Sequence, residues 1–171
     1  MAMQSCFFTG HRSFSFDADS AIVEKFRDTL ADLAADGVTD FYAGGAVGWD
    51  SFCAMSVILL RSYYRNVKLH LILPCPPELQ TAKWNERDKA EYNTILKFAD
   101  DIEIVSDNYD KNCMKKRNAR LASLGDICVC YYNEKDFRSG TGQTVRMAQK
   151  ANKLIINMYD YSPKQQNPLF K

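Results

Sequence analysis

The sequence is short of histidine, carries no surplus of either charge and contains no long apolar run. Its 171 residues hold two histidines, with 22 Lys and Arg against 21 Asp and Glu, for a net charge of +1. A near-neutral chain has no global pull toward nucleic acid or anionic membrane, so neither is expected as a partner. No apolar run approaches the ~20 residues of a membrane span. The opening "MAMQSCFFTGHR" lacks the apolar core of a signal peptide, because glycine and charge follow at once. A cytoplasmic location is therefore expected. CxxC pairs are also missing from the six cysteines, Cys6, Cys53, Cys75, Cys113, Cys128 and Cys130. Only Cys128 and Cys130 are close, and a strand would put them on one face. With His11 and His70 the only imidazoles, no metal site is expected, and the cysteines read as small buried apolar side chains.

What is there is alternation. Continuous apolar runs, "SCFFTG", "VTDFYAGG", "VKLHLILP", "DIEIVS", "DICVCYY" and "KLIINM", alternate with helical patterns. Ile22, Phe26, Leu30 and Leu33 recur at helical spacing before Gly37, with acidic residues and Ser20 offering an N-cap. "DSFCAMSVILLRSYY" predicts a helix apolar on nearly all sides and hence buried. Residues 78–99 predict one long polar helix, while "KNCMKKRNARLASLG" and "QTVRMAQKAN" predict two more. Unalternating strands separated by helices mean a mostly parallel sheet covered on both faces. The expected fold is an α/β, Rossmann-like three-layer sandwich, a single domain over 1–171 with an irregular tail at 158–171. No repeat or linker divides it.

In such sheets ligands bind beyond the carboxyl ends of the strands. After strand one come Gly10, His11 and Arg12: a turn glycine, an imidazole able to donate or accept, and a planar fork suited to phosphate or carboxylate. After strand two come Gly44, Gly45 and Gly48, spaced GGxxG rather than GxGxxG. Such glycines admit either a ligand close to the backbone or tight strand–helix packing. Asp50 at the helix start would cap it and repel phosphate, yet could accept from a ribose hydroxyl. After strand three, Trp84 and Asp88 share a helical face, where the tryptophan could stack on a base or pack on the domain. After strand four, Lys111, Lys115, Lys116, Arg117 and Arg120 crowd one helix, which a solvated face also explains. After strand five, Ser139, Gly140, Thr141 and Gly142 open a helix, with Gln143 and Thr144 in its first turn. Hydroxyls and free N–H groups without a carboxylate from Phe137 to Thr144 make this the better phosphate cradle.

Together "TGHR", "FYAGGAVGWDSFCAM" and "YDKNCMKKRNARLASLGDICVCYYNEKDFRSGTGQTVRMAQKA" resemble the SLOG superfamily. That group joins the LOG phosphoribohydrolases, the DNA-processing protein DprA and the YpsA-like proteins of unassigned function. The resemblance is nearest to the YpsA-like branch and covers almost the whole chain. It implies a nucleotide-type ligand held across the two glycine loops. Gly44, Gly45 and Gly48 match the first loop, Arg117 with Asn118 falls at the catalytic arginine of LOG enzymes, and Ser139–Gly142 fall on their phosphate loop. The chain departs at the glutamate of PGGxGTxxE, where it carries Val145 or Arg146. Glycosidic cleavage calls for a carboxylate, and Asp50 is the substitute within reach.

The leading expectation is a sensor or regulatory module binding an AMP-, ADP-ribose- or NAD-like molecule. Its phosphate would lie on Ser139–Thr144 with Arg12 or Arg117, and its ribose or base toward Gly44–Asp50. The alternative is a hydrolase of a nucleotide N-glycosidic or phosphate bond, with Asp50, Arg117, His11 and Asp88 as its chemistry-bearing residues. A third reading is DprA-like binding of single-stranded DNA. Whether the ligand is turned over stays open. No cofactor is expected, and the buried helices with the superfamily pattern suggest a homodimer.

Overall fold

A computed structural model describes residues 3–17 and 20–159. Six strands, β1 (Ser5–Gly10), β2 (Asp40–Ala43), β3 (Lys68–Leu73), β4 (Asp101–Ile104), β5 (Ile127–Tyr131) and β6 (Leu154–Asn157), form one sheet. Its order is β4-β3-β2-β1-β5-β6, and every pairing is parallel. Of the tail expected at 158–171, residues 160–171 lie outside the described residues, as do 18 and 19, next to the expected cap of the first helix.

The helices are α1 (Ser20–Ala35), α2 (Trp49–Leu60), α3 (Pro77–Gln80), α4 (Glu86–Phe98), α5 (Cys113–Leu124) and α6 (Gly140–Lys150). Successive strand residues point to opposite faces, and the two cores follow that alternation. Cys6 and Phe8 of β1, Leu69 and Leu71 of β3 and Val129 of β5 pack with α1, α2 and α4. Phe7, Ile72, Cys128 and Cys130 pack on the other face, with Leu121 and Ala122 of α5 and Val145 and Ala148 of α6. Cys128 and Cys130 do share a face, and all six cysteines are free, buried thiols. Each buried Phe or Leu removes enough apolar area to contribute about 1.5–3 kcal/mol before entropy is counted.

Three local expectations are corrected. The single helix over 78–99 is two helices, because Asn85 starts a new one: its side chain accepts the Asp88 N–H at 2.8 Å. Trp84 therefore sits in the turn before α4, not on its face. At α2 the N-cap is Gly48, so Asp50 is inside the first turn rather than capping it. α2 is also not buried all round. Leu59 is 58 % exposed, and Phe52 and Met55 are only partly buried, packed against the edge of the core.

The order of strands sets the site. From β1 the chain moves outward through β2, β3 and β4, then crosses to β5 on the other side of β1. That reversal opens a crevice above the carboxyl ends of β1 and β5, where open α/β sheets bind ligands.

Candidate functional site

A cavity of about 380 Å³ lies in that crevice. β1 supplies Thr9 and Gly10, followed by His11 and Arg12. The loop after β2 supplies Ala46, and α2 supplies Asp50. Met114, Arg117 and Asn118 come from α5, and Ser139, Gly140 and Thr141 from the start of α6. The structure thus brings together nine of the expected residues, from the segments after strands one, two, four and five: Gly10, His11, Arg12, Asp50, Arg117, Asn118, Ser139, Gly140 and Thr141.

The floor is an ion pair. Asp50 and Arg117 are each only 5 % exposed, with Arg117 Nη1 at 3.8 Å from Asp50 Oδ2. Oδ2 also accepts the Ala46 N–H at 3.3 Å. Arg117 is held on three sides: Nε donates to Asn118 Oδ1 at 2.8 Å, Nη1 donates to the Gly44 carbonyl, and Nη1 faces Asp50. Its Nη2 has no protein acceptor among the described residues. Burial pushes the Asp50 carboxyl up, against the pull of Arg117, the Ala46 N–H and Arg12. Burial likewise lowers Arg117, against Asp50. Desolvation outweighs attraction on both sides, as is usual for a buried pair. Arg12 is exposed at the rim, and its charge is felt by both members. Two guanidiniums against one carboxylate leave the cavity net positive.

The wall opposite is a helix N-terminus. Ser139 caps α6, its Oγ accepting the Gly142 N–H at 3.1 Å, and its carbonyl accepts the Gln143 N–H at 3.0 Å. The first-turn N–H groups of Gly140 and Thr141 have no partner among the described residues. They carry the positive end of the helix dipole. Gly140 is the open glycine of the site: a Cβ there would meet only Asn118 Nδ2, at an ordinary 3.6 Å. Thr144 is fully buried and its hydroxyl donates back to the Gly140 carbonyl at 2.8 Å, so it serves the helix. Gly142 is closed by the Phe137 carbonyl, 2.6 Å from its would-be Cβ.

His11 is a tether. Its Nε2 accepts the Asn133 N–H at 2.9 Å, joining the loop after β1 to the loop after β5. That bond requires an unprotonated Nε2. Burial lowers its basicity further, opposed by Asp136, whose Oδ2 is 3.9 Å away.

The glycines of the first loop are packed against protein, while Ala46 between them lines the cavity. A Cβ on Gly44 would meet Arg117 Nη1 at 2.1 Å, one on Gly45 would meet Leu73 Cδ2 at 2.7 Å, and one on Gly48 the Arg12 carbonyl at 2.5 Å. Side-chain space at these three glycines is taken by protein, and the lack of a Cβ at Gly44 admits Arg117. Trp84 is also away from the cavity, edge-on to Tyr92 at 5.2 Å and packed against the core. Asp88 lines a separate groove. Ala46 and Met114 were missed. Met114 was within reach of the pattern, since it lies three and four residues before Arg117 and Asn118 on one helical face.

The comparisons fit this arrangement. A family model described as the YspA SLOG family matches residues 6–162. A UPF0398 protein of Staphylococcus saprophyticus is 24% identical over 142 residues, covering 78% of this chain and 74% of its own. A UPF0398 protein of Staphylococcus haemolyticus is 31% identical over 110 residues, covering 60% of this chain and 58% of its own. A third, of Halalkalibacterium halodurans, is 24% identical over 126 residues, 72% of this chain and 63% of its own. Among solved structures, DNA processing protein A of Helicobacter pylori, described for its single-stranded DNA binding mode, superimposes with a TM-score of 0.62 at 20% identity. That match covers 91% of this chain and 65% of the other, and it speaks to the fold alone. With the family match running from β1 past β6, this chain belongs to the YspA SLOG family.

Proposed function

We propose that the cavity binds the phosphate-bearing end of a nucleotide-type ligand, AMP-, ADP-ribose- or NAD-like, and that the chain acts as a sensor or regulatory module. The observation that carries this reading is a coincidence of donors. The uncommitted N–H groups of Gly140 and Thr141 open onto the same cavity as a buried arginine with one nitrogen to spare. Helix N-termini and guanidiniums both favour phosphate. The rest of the ligand extends past Arg12, Ala46 and Met114 toward solvent. Titration calorimetry with AMP, ADP-ribose and NAD tests it. Binding of at least one is expected, with Arg117→Ala and Gly140→Asp each abolishing it. A wholly unbound panel, or binding that survives both variants, refutes the reading.

A second reading, hydrolysis of an N-glycosidic bond, is favoured by Asp50. Its Oδ1 has no protein partner among the described residues, and the residue lines the cavity. Chromatography of nucleoside monophosphates or NAD after incubation tests it: free base, lost in Asp50→Asn, is its signature. DNA binding has less support in this chain. Arg117 is buried against Asp50, and Arg120 is committed to Glu103 through two bonds of 2.8 and 3.0 Å. A salt-sensitive gel shift with single-stranded DNA would revive it.

A further inference from the structure

His11 lines the cavity, yet phosphate binding as described makes no use of its imidazole. Its backbone is fixed on both sides. The His11 N–H donates to the Tyr131 carbonyl at 3.1 Å, and its carbonyl accepts the N–H groups of Phe14 at 3.3 Å and Trp49 at 3.4 Å. The ring stands among those of Tyr131, Tyr132 and Tyr159, at centroid distances of 6.2, 6.0 and 6.3 Å. The side chain keeps only 12 % exposure.

The Asn133 bond decides which ring nitrogen carries the hydrogen. A backbone N–H can only donate, so Nε2, 2.9 Å from the Asn133 nitrogen, must accept. A neutral imidazole has one bare nitrogen and one N–H. With Nε2 bare, the hydrogen stands on Nδ1. The single lone pair of the ring is then taken up by Asn133, and none is left to draw a proton from a ligand. The Nδ1–H, by contrast, has no acceptor among the described residues. Asp136 approaches the ring on its Nε2 side, at 3.9 Å. A fixed, unpaired donor thus joins the N–H groups of Gly140 and Thr141 and the Arg117 Nη2 around one cavity.

We infer that His11 is a ligand donor and not a general base: held by Asn133 as the Nδ1–H tautomer, it gives that hydrogen to an oxygen of the ligand's phosphate. This role rests on the phosphate-binding reading of the cavity. Ring position and tautomer are set before the ligand arrives, so the bond forms with little further loss of side-chain freedom. An anionic acceptor makes it a bond of the stronger kind.

Long-range proton–nitrogen NMR, which separates a protonated ring nitrogen from a bare one, tests the tautomer in the ligand-free chain at a pH well above the imidazole value of about 6.5. With two histidines in the sequence, the His11 signals are those lost in His11→Asn. A protonated Nδ1 and a bare Nε2 are expected, and the reverse overturns the inference. Calorimetry with AMP, ADP-ribose and NAD then separates the two nitrogens, because an asparagine amide reaches the place of Nδ1 and a glutamine amide that of Nε2. His11→Asn keeps a donor toward the ligand and gives up the Asn133 bond. His11→Gln keeps an acceptor for Asn133 and gives up the donor. His11→Gln is expected to bind roughly tenfold or more weakly than His11→Asn, the size of a lost hydrogen bond to a charged group. A His11 that serves only to join the loops gives the opposite order. That order, or equal affinities, overturns the donor role and leaves phosphate binding standing, whereas a wild type that binds none of the three removes both.

Discussion

At the scale of single residues, the site depends on an absence of side chain. Arg117 fits against the β2 end because Gly44 has no Cβ. Gly44→Ala is expected to displace the guanidinium and cost about 1–3 kcal/mol, the range for overpacking a filled interior. A urea titration checks the cost, and loss of nucleotide binding checks the displacement. Asp50 gives the converse case. Asp50→Ala leaves a buried, unpaired Arg117 and should cost about 3–5 kcal/mol. Adding Arg117→Met should restore part of that, because it removes the uncompensated charge. If the double variant is as unstable as the sum of both single ones, the pair is not coupled in the way its geometry implies. Asp50 was legible in the sequence as a special carboxylate, but its partner was not. A 67-residue separation between positions 50 and 117 has no local pattern; only the topology that lays α5 across the carboxyl end of β2 brings them together.

At the scale of elements, a loop-to-loop bond ties two walls of the crevice together. His11 joins the β1 loop to the β5 loop through Asn133, and it can do so only when Nε2 is unprotonated. Its folded pKa lies below the ordinary imidazole value of about 6.5. In a pH window below about 6.5 the unfolded chain takes the proton first. The stability His11 contributes is therefore fully present above that value, and it is lost as pH falls through the unfolded and then the folded pKa. Thermal melts from pH 8 to pH 5 should fall more steeply for the wild type than for His11→Asn. Equal slopes would mean the bond carries no linkage. The elements themselves were largely readable: each apolar run became a strand within a few residues, and Gly37 and Gly125 end helices where expected. The failure at 78–99 was one of hierarchy. Asn85 with Asp88 three residues on is a helix-start signal, but it was buried in a polar stretch that satisfied helical composition on both sides.

At the scale of the whole molecule, the sheet grades from centre to edge. β1 and β5 are fully covered over their middle residues, while β4 shows Ile102 and Ile104 to solvent at one edge. Hydrogen exchange should follow that gradient: amides of β1 and β5 slowest, near the global unfolding limit, and those of β4 faster. Exchange that is uniform across all six strands would indicate a more cooperative unit than the packing suggests. Fold class was legible because an all-parallel sheet must bury both faces, and this leaves continuous apolar runs in the chain. The cavity was legible only as a set of strand ends. The sequence cannot distinguish a glycine that admits a ligand from one that admits an arginine, and in this fold the first loop does the second.

Arg117 rises from one helical layer and Asp50 from the other, and they meet over the end of the strand that Gly44 terminates. Two neighbouring positions on one loop and helix start and a third 73 residues from Gly44 are thus bound by one mutual exclusion, which is a rule about inheritance as much as about stability. A lineage that gains a side chain at position 44 must already have lost the arginine, and one that loses the arginine has no tolerable use for the carboxylate. In an alignment of relatives the three should change together, in that order, or not at all.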